Sequence, residues 1–386
     1  MSETASTAAM LSRLVGFDTT SRNSNLELIG FVRDWLDAHG VAYRESRDPT
    51  GKKANIHAII GPRTAGGIAL SGHVDVVPVD GQAWSADPFT LRPADGRLYG
   101  RGSTDMKGFV AACLAAVPAF KARRLARPAH LFITFDEETD MGGARRLIDD
   151  LADSGLAPEM CIVGEPSLMQ PILAHKGKFS LRVTVRGKSG HSSVPAAGVN
   201  AVQAAAAAIR YVAAEQRRFA GHGPFAEGFD PPHTTAHVGT MHGGSILNII
   251  PEHAGFDMEW RTIPADNPQT EYDRLQRFVA TEIEPAMREV DAQAGFSYSV
   301  IDAIPGMALD PAHALTALVK QLTGSNSTGK VSYGTEGGLY QEAGIPTIVC
   351  GPGDISQAHQ PDEWIAQSQL DACDAFLLRL ADHLAA

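Results

Sequence analysis

The sequence has 386 residues, of which 44% are hydrophobic and 20% are charged, a composition typical of a globular protein with two or three domains. Its 44 acidic residues outnumber its 33 lysines and arginines, and the net charge is −11. This charge argues against nucleic acid as a partner and leaves small molecules and metal ions as the expected ligands.

The cysteines and the longest apolar stretch indicate a cytoplasmic protein without disulfides or a membrane anchor. The four cysteines are scattered and form no CxxC pair, which is typical of a reducing compartment. The N-terminus has no basic segment followed by an apolar one, so no secretory signal is predicted. The longest apolar stretch, residues 109–120, is too short to span a bilayer and is predicted to be a buried helix.

The first predicted elements alternate between helices and short apolar strands. Helical spacing of Leu28, Phe31, Trp35 and Leu36 predicts a helix over residues 26–39. Further helices are predicted over 109–125 and 143–151. Apolar runs of three to five residues alternate with them, at 68–70, 131–135, 160–163 and 347–350. This order predicts an α/β domain with a mixed, largely parallel sheet flanked by helices.

The middle of the chain follows another pattern. Residues 179–186 alternate with a period of two, and strands at 235–241 and 255–262 and helices at 199–219 and 271–290 are predicted around them. The order β-α-β-β-α(-β) predicts a ferredoxin-like α+β insert. The predicted organisation is therefore a first part of the main domain at 1–176, an insert at 177–291 and a second part of the main domain at 292–386.

The residues that end the predicted strands carry the functional signal. Each of the four runs ends at, or shortly before, a histidine or a carboxylate, and sites in open α/β sheets form beyond the carboxyl ends of strands. The candidates in chain order are His73 with Asp75, Asp105, Glu137 with Glu138, Glu165, and His359. The chain has no GxGxxG, GxxxxGK[ST], GxSxG or HExxH motif, so dehydrogenase, P-loop, serine hydrolase and zincin readings lose their main support.

Each candidate has an ordinary structural alternative. His73 and Asp75 also suit a surface pair, and Asp105 suits the N-cap of the following helix. The adjacent Glu137 and Glu138 also suit a solvated acidic turn. Glu165 suits the start of a helix, and His359 an ordinary loop. Together, however, the set offers His, Asp and Glu without thiolates, which suits zinc, cobalt or manganese in a two-metal hydrolytic site.

Several segments, in order along nearly the whole chain, resemble one family. They are GHVDVVP (72–78), GRGSTDMKG (100–108), FDEETD (135–140), VGEP (163–166), GHSSVP (190–195) and GPGD with AHQPDEW (351–364). The chain is identified on these motifs as a member of the co-catalytic-zinc aminoacylase and carboxypeptidase family. The resemblance implies a zinc exopeptidase-like fold, with the insert as a lid and dimerisation domain.

The resemblance also implies a ligand set for two zinc ions, for which cobalt substitutes. His73 and Glu165 bind one ion, and Glu138 and His359 bind the other. Asp105 bridges both ions, and its peptide bond to Met106 is expected to be cis.

Roles beside the metals follow from the same motifs. Asp75 orients His73, Glu137 is the general base, and His191 stabilises the oxyanion. Asn248 and Arg261 match substrate-contacting positions of the insert, with Arg261 on a substrate carboxylate. A turn histidine and a solvated strand-end arginine remain the alternatives for His191 and Arg261.

The segment from Tyr333 to Gly338 is most similar to the acetylornithine deacetylase branch. Glu336 is a candidate partner for the side-chain amine of the substrate, with a structural role as the alternative. The resemblance thus implies a homodimer, joined through the insert, that deacylates an N-acyl amino acid such as acetylornithine. A desuccinylase, another acylase, a dipeptidase and a non-catalytic metal-binding relative remain alternatives.

Overall fold

The computed structural model describes residues 5–386 and forms two compact units. The first comprises residues up to Ala174, Met307–Lys330 and Thr335–Ala386, and the second comprises His175–Gly306 and Val331–Gly334. The α-helices of the described residues are α1 (Thr7–Val15), α2 (Leu26–Ala38), α3 (Lys107–Ala122), α4 (Gly142–Ser154), α5 (Ala201–His222), α6 (Pro268–Phe278), α7 (Glu284–Val290), α8 (Ala314–Thr323), α9 (Gly337–Glu342) and α10 (Gln367–Ala385).

The strands form two main sheets, a small three-stranded sheet and one short pair. They are β1 (Ala42–Arg47), β2 (Ala54–Ile60), β3 (Ile68–His73), β4 (Arg92–Ala94), β5 (Arg97–Tyr99), β6 (Ala129–Thr134), β7 (Met160–Pro166), β8 (Ile172–His175), β9 (Gly177–Arg186), β10 (Gly190–His191), β11 (Thr235–Gly243), β12 (Ile249–Ile250), β13 (His253–Thr262), β14 (Gly295–Ile304), β15 (Met307–Ala308), β16 (Gly329–Val331), β17 (Thr347–Gly351) and β18 (Trp364–Ala366). The small sheet has the order β18-β5-β4, and the short pair is β10 with β12.

The main sheet of the first unit has the order β1-β2-β6-β3-β7-β17-β8-β15, and β16 pairs with β8. Its central strands β6, β3, β7 and β17 are parallel, whereas β1, β2 and β8 run antiparallel to neighbours. Every residue of the four central strands is buried, as expected for a sheet covered on both faces. The predicted mixed, largely parallel α/β sheet is confirmed, and all four central strands end at one edge.

The second unit contains a four-stranded antiparallel sheet in the order β11-β13-β9-β14. Alternate residues of β9 pack against helix α5 and form a separate hydrophobic core that includes Leu181, Val183, Phe256 and Trp260. The chain order of strands and helices, with this strand order, is the ferredoxin-like arrangement that the sequence predicts.

Two details of the second unit differ from the sequence-based expectation. The strand β14 pairs with β9 over its whole length, so the sheet continues past residue 291, where the predicted insert ends. The predicted helix over 271–290 is interrupted by a π-helical turn at Val279–Ile283. Pro285 lies just beyond that turn and has no N–H for the preceding turn of helix, which accounts for the break.

Two further features concern the cysteines and the helices. All four cysteines are free and buried. Among residues 5–386, no helix combines the length and the apolar character that crossing a bilayer requires.

A pair of buried histidines lies between β2 and β6 on the main sheet. His130 Nε2 is 2.9 Å from the carbonyl oxygen of Gly66, so it carries a hydrogen, and Nδ1 accepts from His57 Nε2 at 2.9 Å. Both rings are neutral in this arrangement. Burial lowers the pKa of His57 to about 3, with a further contribution from repulsion when His130 is protonated, and burial lowers the pKa of His130.

This pair predicts a loss of stability in mild acid. The unfolded chain takes up a proton at His57 below its ordinary pKa, whereas the folded chain does not until about pH 3, so stability falls as pH falls through this window. Between about pH 7.5 and about pH 5, we expect the free energy of unfolding of the wild type to fall by about 2 kcal/mol more than that of His57→Gln. Urea unfolding at both pH values measures this, with exposed His222→Gln as control. An equal pH dependence in wild type and His57→Gln would contradict it.

Candidate metal centre

The predicted ligands converge at the carboxyl edge of the main sheet. His73 is the last residue of β3, and Glu165 is the penultimate residue of β7. Glu137 and Glu138 follow β6, and His359 follows β17. Glu165 is 3% exposed within a strand, which removes the helix-start alternative. The parallel strands therefore bring together residues that lie up to 286 positions apart.

Asp105 lies between two imidazoles. Its Oδ1 is 3.2 Å from His73 Nε2, and its Oδ2 is 3.2 Å from His359 Nε2. The peptide bond from Asp105 to Met106 is cis, as the resemblance implies. Helix α3 has Met106 at its N-cap position and no side-chain capping bond, so the alternative of Asp105 as an N-cap is not realised.

Other carboxylates complete two clusters on either side of Asp105. Glu165 Oε1 is 3.5 Å from His73 Nε2, and Glu138 Oε1 is 3.0 Å from His359 Nε2. Glu137 Oε2 is farther from His73, at 3.9 Å. Two trios of residues each have ligand atoms within 4.8 Å of one another. One trio is His73, Asp105 and Glu138, and the other is His73, Glu137 and Glu165.

The donor set fits divalent cations. Two donors on one tetrahedral zinc, each about 2.0–2.1 Å from the ion, lie about 3.3 Å apart. The contacts of 3.0–3.5 Å made by His73, Asp105, Glu165, Glu138 and His359 match this spacing, and the 3.9 Å contact of Glu137 is longer. His73 Nδ1 donates to the main-chain carbonyl of Asp75 at 2.9 Å, which leaves Nε2 of the neutral ring with a lone pair toward the cluster.

Carboxylates outnumber imidazoles in the cluster, and their charges shift one another's pKa values. Burial and the charge of Asp105 raise the pKa of Glu165 to about 8 and that of Glu138 to about 7. Burial and the charge of Glu165 raise the pKa of Glu137 well above its ordinary value. Hydrogen bonds with Asp105 and Glu138 raise the pKa of His359 to about 10. Carboxyl groups crowded in this way are stabilised in their ionised form by divalent cations.

Asp75 makes more contacts than the sequence indicates. Its Oδ1 is 3.5 Å from His73 Nδ1, while the shorter contact of that nitrogen is with the Asp75 carbonyl. The carboxylate accepts from the main-chain N–H groups of Glu137 at 3.1 Å and Glu138 at 3.3 Å, and from Ser21 Oγ at 2.7 Å. Asp75 therefore holds the turn that carries both glutamates as well as lying beside His73.

Sequence reasoning did not identify the residues that support this turn. Lys53 Nζ donates to the carbonyl of Ser21 and to Asp136, which precedes Glu137 and has a φ of 59° in the left-handed region. These partners lie 32 and 83 positions from Lys53, and no local pattern connects them. The Asp-Glu-Glu run after a strand was the available signal for a tight turn that needs anchoring.

Glu336 is placed inside the first unit. It is 1% exposed, and its Oε2 lies 3.1 Å from Ser71 Oγ and 3.2 Å from the Tyr340 hydroxyl. A partner for a substrate amine needs an accessible carboxylate. The position therefore favours the structural alternative over the predicted substrate contact.

The three remaining predicted residues lie in the second unit. His191 Nδ1 accepts from the main-chain N–H of Ser193 at 3.2 Å, so the hydrogen of the neutral ring is on the exposed Nε2. The carbonyl of Asn248 accepts from the N–H of Ser192 at 3.1 Å. Arg261 lies on β13, and its Nε donates to Glu259 at 3.0 Å, which leaves its terminal nitrogens for another partner.

Comparisons with known proteins identify the family and support the fold. Residues 69–383 match the model of peptidase family M20/M25/M40. The acetylornithine deacetylase of Shigella sonnei (strain Ss046) is 36% identical over 363 residues, which is 93% of this chain and 91% of that protein.

Solved structures with low identity share the fold. A tripeptidase from Staphylococcus aureus has a TM-score of 0.75 and 20% identity, with 99% of each chain covered. An M20 family metallo-carboxypeptidase from Sulfolobus solfataricus has a TM-score of 0.74 and 16% identity, with both chains fully covered. The match of the family model and the identity to the Shigella enzyme decide the assignment: the chain belongs to peptidase family M20/M25/M40 and is a metal-dependent hydrolase of that family.

Proposed function

We propose that this hydrolase removes the acetyl group from N-acetylornithine and yields ornithine and acetate, as a step of arginine biosynthesis. The observation that carries the proposed reaction is Asp105 with one oxygen toward each of two His-carboxylate clusters, and Glu137 beside them at a longer distance. The choice of acetylornithine is supported by the 36% identity to the Shigella deacetylase.

The proposed ligands divide into two sets that share Asp105. His73 and Glu165 belong to one set, and Glu138 and His359 belong to the other. We propose two Zn²⁺ ions, replaceable by Co²⁺, because histidine nitrogen with carboxylate oxygen suits these metals. When bound, two such ions polarise an amide carbonyl and make water a stronger nucleophile near neutral pH.

Glu137 has the position of a general base. Its carboxylate is 10% exposed and lies 3.9 Å from His73 Nε2, so it belongs to the cluster without a ligand contact as short as the others. Burial raises the pKa of Glu137, and cations oppose that shift, which brings a carboxylate toward the range where it accepts and returns a proton. Glu137 takes the proton of the attacking water and passes it to the leaving amine.

Three residues of the second unit have the chemistry to bind the substrate. His191 presents Nε2–H, a donor suited to the oxyanion that forms when water attacks the amide. The side chain of Arg261 is 34% exposed, and its guanidinium suits the α-carboxylate of an amino acid, with Asn248 as a further polar contact. The proposed substrate is therefore a small N-acyl amino acid, with neither nucleic acid nor a membrane as a partner.

A substrate panel tests the proposal. The zinc- or cobalt-loaded protein is assayed for amine release from acetylornithine, other acetylated amino acids, succinyl-diaminopimelate and several dipeptides. We expect the highest kcat/KM for acetylornithine. A preference for another acyl amino acid or a dipeptide would reject acetylornithine and retain the hydrolase. A protein that binds two metal ions without hydrolysing any of them would favour a non-catalytic relative.

We also propose a homodimer joined through the second unit. Leu247 is 98% exposed, and Ile246, Val194 and Ile249 are 59%, 54% and 42% exposed in the same unit. Leu247, Ile246 and Ile249 line a groove of 870 Å³ together with polar residues such as Asn200 and Gln203, and exposed apolar side chains surrounded by polar ones favour association. The four free, buried thiols support a reducing, cytoplasmic location.

The proposed dimer predicts that one charge introduced at Leu247 weakens association. Leu247→Asp places a carboxylate in the apolar contact, and its desolvation weakens association by at least about tenfold. Light scattering after size exclusion measures the mass across a dilution series. Leu378→Asp is the matched control, because Leu378 is 42% exposed on α10 of the first unit. A wild-type protein that is monomeric at every concentration would contradict the proposal, as would a Leu247→Asp variant that dimerises like Leu378→Asp.

A further inference from the structure

One fully buried carboxylate outside the proposed ligand set holds the loop of Asp105. Glu363 is 1% exposed, and its Oε1 accepts from the main-chain N–H groups of Thr104 at 2.9 Å and Asp105 at 3.1 Å. Its Oε2 accepts from the N–H of Gly102 at 3.1 Å and from Arg101 Nη1 at 2.7 Å. Four donors of one loop thus converge on one side chain, and three of them are main-chain groups.

The partner of Glu363 connects this loop to the segment that carries His359. Arg101 is 1% exposed, and its Nη1 also lies 3.4 Å from the carbonyl of Gln360. Arg101 Nη2 donates to Gln82 Oε1, and Gln82 Nε2 donates to the carbonyl of His359 at 2.9 Å. Glu363 itself lies four residues after His359. The ion pair therefore fixes two loops relative to each other through hydrogen bonds at both ends.

We propose that Glu363 and Arg101 are positioning residues that set the distance between Asp105 and His359, and thereby form the second of the two metal sites. The inference rests on the two-metal function proposed above. Neither side chain is a proposed ligand or substrate contact. Their effect passes through the main chain of Asp105, whose Oδ2 lies 3.2 Å from His359 Nε2.

The two metal sites depend on this network to different degrees. His73 and Glu165 lie within strands of the main sheet, whose hydrogen bonds hold them independently of Glu363. His359 lies in a loop, its side chain is 50% exposed, and its φ of 62° is in the left-handed region that residues other than glycine rarely adopt. Loss of the network therefore affects the Asp105–Glu138–His359 site more than the site at His73 and Glu165.

Calorimetric titration of the metal-free protein with Zn²⁺ tests the proposal. For the wild type we expect two binding steps. For Glu363→Gln we expect the weaker step to lose about 10- to 100-fold in affinity, as for other residues that support metal ligands, and the tighter step to change by less than about tenfold. The amide of glutamine donates where the main-chain N–H groups need an acceptor, so the loop loses at least one of its anchors.

Two further variants separate positioning from stability. Glu363→Gln leaves the buried Arg101 without its counter-charge, whereas Arg101→Met/Glu363→Gln removes both charges and is expected to regain thermal stability without regaining the weaker step. Glu284→Gln is the matched control, because Glu284 is 7% exposed and likewise accepts from an arginine and a main-chain N–H. It is expected to lower the melting temperature and leave both binding steps unchanged.

The outcomes are distinct. Positioning is supported if the second binding step is weaker in Glu363→Gln and remains weaker in the double variant. If the single variant does not fold, a weaker second step in the double variant supports positioning. Recovery of the second step together with the melting temperature would reduce the pair to a structural role and overturn the inference. Two wild-type steps that are unchanged in the Glu363 variants would also overturn it. A wild-type protein with fewer than two steps would instead reject the proposed two-metal function.

Discussion

Glu137→Gln is expected to yield a folded protein that binds the wild-type number of metal ions and turns over about 10²- to 10⁴-fold more slowly. The amide has the size of the carboxylate but does not accept the proton of the attacking water. Metal content is retained because Glu137 Oε2, at 3.9 Å, is farther from His73 Nε2 than the oxygens of Asp105 and Glu165 are. The measurement is kcat on acetylornithine together with metal analysis of the same sample.

Two controls make this result specific. Glu159→Gln makes the same chemical change at an exposed position before β7 and is expected to keep wild-type turnover. The pH profile adds a second readout, because loss of a general base removes the acidic limb of kcat along with the rate. Wild-type turnover in Glu137→Gln would reject the role of base. Loss of a metal ion in that variant would make Glu137 a ligand, as the trio with His73 and Glu165 allows.

The sequence predicted the elements that place the site because those elements depend on local signals. Runs such as 131–135 and 160–163 are short, apolar and followed by polar side chains, which is what a buried parallel strand requires. Since parallel strands end at one edge of a sheet, the strand pattern alone predicts that His73 and Glu165 lie together. The observed strands differ from the predicted runs by only a few residues at their ends.

The supporting contacts could not be predicted from local patterns because they join distant segments. Ser21 bonds to Asp75 across 54 positions, and Glu363 bonds to Asp105 across 258. Glu336 shows the opposite case, in which a carboxylate predicted to contact the substrate is buried against Ser71 and Tyr340. Sequence spacing indicates which residues reach one edge of a sheet, while the contacts that each side chain makes decide which of them face the ligand.

Asp105→Asn is expected to lower the affinity for one of the two metal ions by at least about 100-fold and to reduce kcat by a similar or larger factor. Each oxygen of Asp105 faces a different imidazole, His73 on one side and His359 on the other, both at 3.2 Å. An asparagine offers one oxygen and one NH₂ group, and the NH₂ group is a donor that binds no cation. One cluster therefore loses a ligand.

The retained ion is expected at His73 and Glu165, because both lie on strands and keep their positions without Asp105, whereas His359 lies on an exposed loop. Calorimetric titration with Zn²⁺ resolves the number of ions and their affinities, and a steady-state assay gives kcat. Asp371→Asn, on the exposed face of α10, is the matched control. Two ions bound with wild-type affinity by Asp105→Asn would show that the carboxylate is not shared. Because Glu137→Gln is expected to retain both ions and Asp105→Asn to lose one, the two variants separate proton transfer from metal binding within a single cluster.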